Sequence, residues 1–264
     1  MTTADTPFRD RSVTVLGAAS DMGLAVARAF GQAGAQVWLA DVDERRLEAH
    51  GEALRAEGLE IEARRVDVTN AAAVDDFVRA ADTARTGLEA SIQLAGVIAD
   101  VDTLDMTEAQ LDHVLSVNLK GVLFACQSAG RCMAARGRGA LVNTASMGAF
   151  TAIPKLAAYS MSKAAVVALT RTLALELASK GVRVNAVAPG YVEGGMTQRH
   201  LRDAHGEVDV SALEDALEKA RRRNPLGLVG QPEDVAAACL YLATESSRYV
   251  TGHVLHLNGG ALMP

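Results

Sequence analysis

The chain has 264 residues, 49% hydrophobic and 22% charged, enough to bury a sizeable core and too apolar to remain disordered. Its net charge of −6 is spread without a basic stripe, which argues against a nucleic-acid partner and for a small molecule. Cys126, Cys132 and Cys239 lack metal-ligand spacing, and no basic-then-apolar leader or apolar run of about 18 residues occurs, so the expectation is a cytoplasmic protein with no metal site and no membrane span.

In chain order, "SVTVLG" (12–17) predicts a strand, followed by a helix from about Met22 to Ala33 that stops at Gly34. "QVWLAD" (36–41) is a second strand, and a polar helix starts within "DVDERRLEAH" (41–50). The third strand is "EIEARRVDV" (60–68), then come a helix over 70–84 and a strand "ASIQLAG" (90–96). Residues 107–136 open on Thr107 and Glu108 in cap-like positions and keep apolar residues at helical spacing, which reads as one long helix. A fifth strand (139–146), a second long helix (155–179) and a sixth strand "VRVNAVAPG" (182–190) follow, the last closed by a Pro-Gly turn. The alternation lapses from Tyr191 to Arg223 before a helix (231–244) with Pro232 in its first turn and a last strand (253–260). Apolar strands alternating with helices predict the α/β class. The expected architecture is a doubly wound, Rossmann-type parallel sheet of about seven strands with helices on both faces, one domain over 1–264, with sites at strand ends.

Gly17 and Gly23 flank the first strand-to-helix turn. Gly17 permits a tight turn, Gly23 lets helix and strand pack closely, and the N–H groups of the helix start, around Ser20, Asp21 and Met22, attract phosphate. The alternative is a capped turn, since Ser20 and Asp21 are both good N-cap residues. Asp41 ends the second strand near the spacing at which a carboxylate meets the adenosine ribose and repels a 2′-phosphate, pointing to NAD over NADP; a surface acid is the competing reading. Asp67, in "VDV" with Val68, is placed to receive the adenine amino group.

Tyr159 and Lys163 lie four residues apart on one helix face, with Cβ atoms about 5–6 Å apart. An ordinary phenol titrates near pH ~10, and a neighbouring ammonium lowers that by ~1–3 units. Ser146 ends the preceding strand, where its hydroxyl can hold a carbonyl oxygen, and Asn118 interrupts the apolar middle of the long helix, where a buried amide needs partners. Together the four residues read as an acid/base device.

With these motifs the sequence resembles the short-chain dehydrogenase/reductase family over nearly its whole length. The resemblance is carried by Gly17 and Gly23, Asp41, Asp67-Val68, Ala95-Gly96, Asn118 in "VNLKG", Ser146, Tyr159-x-x-x-Lys163, "VRVNAVAPG" and "QPEDVA…YVTG…NGG". It implies reversible hydride transfer between nicotinamide and an alcohol or ketone carbon. Tyr159 would be the general acid/base, Lys163 would depress its pKa and hold the nicotinamide ribose, Ser146 would orient the substrate oxygen, and Asn118 would support a proton relay. Cofactor contacts are expected also from Pro189, Gly190 and Val192. Substrate contacts are expected from Met147, Phe150, Tyr191 and Met196, in apolar segments that suit a hydrophobic or mixed alcohol. The resemblance also implies a homodimer or homotetramer built through the two long helices.

Three positions depart from the family pattern: Asp21 stands for the middle glycine of T-G-x-x-x-G-x-G, "QLAG" for N-N-A-G, and Gly194 for the threonine after P-G-x-V-x. A carboxylate about 4 Å from a phosphate costs about 1 kcal/mol in water and about 4 at an effective dielectric near 20. If Asp21 turns outward, to cap the helix or pair with Arg28, the lower figure applies, and the expectation is a modified site that still binds. A dinucleotide-binding sensor or scaffold without turnover is the alternative. The charged segment about 191–223 reads as a lid over the substrate.

Overall fold

In the computed structural model, which describes residues 6–201 and 208–263, Ser12–Leu16 (β1) is buried at every position, as the centre of a parallel sheet must be. The other strands are Gln36–Asp41 (β2), Ile61–Arg65 (β3), Leu88–Gln93 (β4), Gly139–Thr144 (β5), Val182–Pro189 (β6) and Val254–Leu257 (β7). They pair in the order β3-β2-β1-β4-β5-β6-β7, all parallel. The order reverses between β1 and β4, in register Val15↔Ile92 and Leu16↔Gln93, and that switch opens a crevice at the carboxyl ends.

The helices are Asp21–Gln32 (α1), Glu44–Ala56 (α2), Ala71–Thr83 (α3), Glu108–Leu115 (α4), Val122–Arg136 (α5), Ala157–Ala178 (α6), Val210–Arg222 (α7) and Pro232–Ala243 (α8). Their starts follow from local chemistry. Ser20, Asp43, Asn70 and Asp209 each accept backbone N–H groups of the first turn, Thr107 and Gln110 form a capping box, and Pro232 opens α8. Strand alternation divides the core between two faces: Val37 and Leu39 pack with Val26, Phe30, Cys239 and Leu242, whereas Trp38 and Ala40 pack with Phe77, Cys126, Met133 and Leu177.

Three expectations are corrected. The helix predicted over 107–136 is helical throughout but not α-helical throughout: a π-helical turn, Ser116–Gly121, joins α4 to α5, and the amide of Asn118 at that turn bonds outside the helix, to Val97. The third strand ends at Arg65 rather than 68, because Asp67 folds back on Thr69. The lapse after Tyr191 contains a 3-10 turn at Arg199–Leu201 and the helix α7, while residues 202–207 of the expected lid lie outside the described residues. Burial pushes the Cys126 and Cys239 thiols up to about 12. Among the described residues, no His, Cys, Asp or Glu cluster has metal-site geometry and no helix is long and apolar enough to cross a membrane.

Candidate active site

The crevice at the strand ends encloses about 1200 Å³, more than the ~300–1,000 Å³ usual for one small ligand. Its walls gather most of the sequence-predicted residues: Gly17, Ser20, Asp21 and Met22 after β1; Asp41 after β2; Asp67 and Val68 after β3; Ala95 and Gly96 after β4; Ser146, Met147 and Tyr159 beyond β5; and Pro189, Gly190, Tyr191, Val192 and Met196 after β6. Gly23, Asn118, Lys163 and Phe150 are not part of the walls. Gly23 is packed inside the first turn, Asn118 and Lys163 stand behind the wall, and Phe150 stacks edge-on against His256, ring centroids 4.7 Å apart. Phe150, expected as a substrate contact, packs against the small core cluster that includes Ala145 and Val167, while His256 beside it lines the crevice.

At one end of the crevice the turn between β1 and α1 is packed backbone against backbone. Gly17 has φ +94°, and a Cβ on it would fall 2.4 Å from the Ala95 nitrogen; a Cβ on Gly23 would fall 2.5 Å from the Gly17 oxygen. Any side chain at either position would drive these backbones apart. The first N–H groups of α1 have no intrahelical acceptors and face this cradle with the positive end of the helix dipole. Asp41 crosses between loops, its Oδ2 accepting from Ala19 N at 2.9 Å and its Oδ1 from Asp43 N at 3.0 Å; each oxygen keeps a lone pair for a further donor. Asp67 Oδ1 accepts from Thr69 N at 2.9 Å and Thr69 Oγ1 at 2.7 Å, and these bonds hold its carboxyl below the usual range.

Asp21 neither caps the helix nor pairs with Arg28. Ser20 takes the capping position, accepting from Gly23 N at 3.0 Å, and Arg28 is engaged by Glu57 at 2.8 Å. Instead Asp21 Oδ2 accepts from Gly195 N at 2.8 Å, and Oδ1 lies 3.4 Å from Arg46 Nη2.

At the other end α6 presents Tyr159 in its first turn. Burial raises the phenol above its usual pKa, opposed first by the nearby Ser146 hydroxyl and then by the charge of Arg199. Ser146 Oγ also accepts from Gly148 N at 3.1 Å, which fixes the hydroxyl at the strand end. Lys163 is 3% exposed and donates to the Thr144 carbonyl at 2.7 Å; burial depresses it to about 8. Its Nζ lies 5.7 Å from the Tyr159 ring centroid. Desolvation, rather than the lysine charge, thus dominates the phenol in this structure.

Asn118 is 0% exposed and fully engaged. Its Oδ1 accepts from Val97 N at 2.8 Å, and its Nδ2 donates to Val97 O at 2.9 Å and Ser162 Oγ at 3.1 Å. Ser162 in turn donates to the Tyr159 carbonyl at 2.7 Å. The π turn therefore ties the loop after β4 to the first turn of α6.

Sequence reasoning did not single out His113, Arg199, Lys219, Arg223 or His256, all of which line the crevice. His256 had a signal, its place at the end of the last strand; the others come from helices and a turn whose docking no local spacing announces. The Tyr191 hydroxyl and His256 Nδ1 are buried polar atoms without a hydrogen-bond partner in the structure.

A doubly wound parallel sheet, a glycine turn before its first helix and a Tyr/Ser pair at the opposite strand end define a Rossmann-type protein with a composite ligand crevice. Residues 17–261 match the family model described as enoyl-(acyl carrier protein) reductase. The chain is 38% identical to galactitol 2-dehydrogenase (L-tagatose-forming) of Cereibacter sphaeroides over 93% of its own length and 92% of that protein. It is 34% identical to the 3-oxoacyl-[acyl-carrier-protein] reductase FabG of Thermotoga maritima over 94% and 96%. Among solved structures, a gluconate 5-dehydrogenase from Burkholderia cenocepacia in complex with NADP and tartrate superposes with a TM-score of 0.86 at 27% identity, covering 98% of each chain. The chain belongs to the short-chain dehydrogenase/reductase family and is an oxidoreductase of that family.

Proposed function

We propose that the chain is an NAD(H)-dependent oxidoreductase that interconverts a secondary alcohol and its ketone, with Tyr159 as general acid/base. The observation that carries the reading is the pairing of Tyr159 with Ser146 on the crevice wall, with Lys163 and Asn118 behind it. The cradle of Gly17, Ser20, Asp21, Met22 and Gly23 would hold the diphosphate, Asp41 the adenosine ribose, Asp67 and Val68 the adenine. Ala95, Gly96, Lys163, Pro189, Gly190 and Val192 would surround the nicotinamide half. The nicotinamide, when bound, supplies the carrier for the hydride.

The remaining chemistry belongs to the chain. Ser146 Oγ and Tyr159 Oη hold the substrate oxygen between them. In the reductive direction Tyr159 gives its proton to that oxygen, and in the oxidative direction it takes the proton away. A phenol raised by burial is protonated near neutral pH, the form that gives a proton to a carbonyl oxygen in the reductive direction. Met147, Tyr191 and Met196 form the apolar substrate side, and the described parts of the expected lid, 191–201 and 208–223, act to exclude water. The preference for NAD rests on Asp41, whose carboxylate opposes a 2′-phosphate; the gluconate 5-dehydrogenase relative holds NADP. The polyol and oxoacyl names of the relatives support a carbinol/carbonyl substrate.

Tyr159→Phe tests the assignment. Ketone reduction with NADH, over a panel of ketones, should fall by about 10²–10⁴-fold while NADH affinity stays within twofold; an unchanged rate would remove Tyr159 from the mechanism. Asp21, a carboxylate beside the cradle, favours the second reading of a weak dinucleotide sensor or scaffold, and turnover by the unaltered protein would dismiss it.

A further inference from the structure

Two of the departures from the family pattern are one contact in space. Asp21 Oδ2 accepts from Gly195 N at 2.8 Å, and a Cβ on Gly194, where φ is +153°, would lie 2.8 Å from the same oxygen. A side chain at 194 and a carboxylate at 21 thus compete for one volume, and the glycine makes the room. The turn that Asp21 grips is internally bonded: Thr197 N and Gln198 N both donate to Gly194 O, at 3.1 and 3.0 Å, and Thr197 Oγ1 donates to Val192 O at 2.9 Å. Its position passes to two crevice residues, since Arg199 Nη1 donates to Met196 O at 2.8 Å while Nη2 pairs with Asp100 at 3.0 Å. Arg46 faces Asp21 from α2, with side chains 43% and 44% exposed.

We propose that Asp21 is a positioning residue that latches the turn Gly194–Gln198 onto the start of α1, setting Met196 and Arg199 at the crevice before any cofactor arrives. The latch itself stands on the contacts above. Its second consequence rests on the dinucleotide reading: the carboxylate opposes the diphosphate as a like charge, and Arg46 offsets the opposition.

Asp21→Asn and Asp21→Gly separate the two roles. Asparagine keeps an acceptor for Gly195 N–H and loses the charge; glycine loses both. In hydrogen exchange on the protein without added nucleotide, D21G should speed exchange in residues 193–201 by about tenfold, whereas D21N should leave it within twofold. In calorimetric titration with NADH at low salt, D21N should bind about fivefold more tightly than the unaltered protein, the gain fading at high ionic strength as charge screening requires.

Unchanged exchange in D21G would overturn the latch. Equal NADH affinity of D21N and the unaltered protein at low salt would overturn the charge opposition. Failure of every variant to bind NADH or NADPH would overturn the dinucleotide reading instead, and the exchange data would still decide the latch.

Discussion

Lys163 shows at the scale of one residue how burial competes with pairing. The sequence places an ammonium one helical turn from a phenol, and charge attraction alone predicts a depressed phenol. Both groups are buried, however, and desolvation acts on each in the direction of its neutral form. This could not be read from spacing, because spacing shows which groups are near and not how much water they lose. The pH dependence follows. Lys163 is held at about 8 against an ordinary 10.5, so between those values the unfolded chain binds more protons than the folded one, and this group's contribution to stability rises with pH. Below about pH 8 the whole penalty of the buried ammonium is present. The melting temperature of Lys163→Met, relative to the unaltered protein, should therefore be most favourable near pH ~7 and lose ground by pH ~9.5. A difference that stays constant between the two conditions would show that the lysine is not depressed.

Among the elements, the π turn is the one whose purpose the sequence half revealed. A buried asparagine within an apolar helix announced the need for partners, and its amide meets Val97 and Ser162. The π turn between α4 and α5 was not legible, because it is a single widened turn within unbroken helical backbone and no local residue choice in "SVNLKG" distinguishes it from an α-helical turn. Docking of α7 was hidden for another reason: the helix is strongly amphipathic, yet only Ala220 is buried, and an apolar stripe does not say which surface it will meet. Asn118→Ala should strand the Val97 N–H and C=O inside the protein and cost about 2–4 kcal/mol, measured as a lower urea midpoint with an unchanged slope. A loss below ~0.5 kcal/mol, the size usual for surface changes, would mean that water or a backbone shift takes over the amide's bonds.

For the whole molecule, the parallel sheet and its doubly wound winding were the most legible features. Apolar runs alternating with helices require a parallel sheet, a parallel sheet wound from its middle has a switch point, and the crevice lies there. Assembly belongs to this scale as well. We propose self-association through α5 and α6, supported by Leu175, which is 83% exposed on α6 where a soluble helix face would carry a polar residue. Sedimentation velocity should show a dimer or tetramer, and Leu175→Glu should shift it toward smaller species; a monomer at tens of micromolar would end the proposal.

The central place of β1 has one more consequence, in time rather than space. β1 is made first, yet its second edge is covered only by Leu88–Gln93, and a strand with a bare edge is a template for the wrong partner. A nascent chain carrying β1, β2 and β3 alone has half a sheet, one face of its core missing α8, and no switch point. Long-range parallel pairing is slow because loop closure precedes its reward. The molecule thus commits to its fold late in synthesis, and its early half is the part most in need of protection from aggregation.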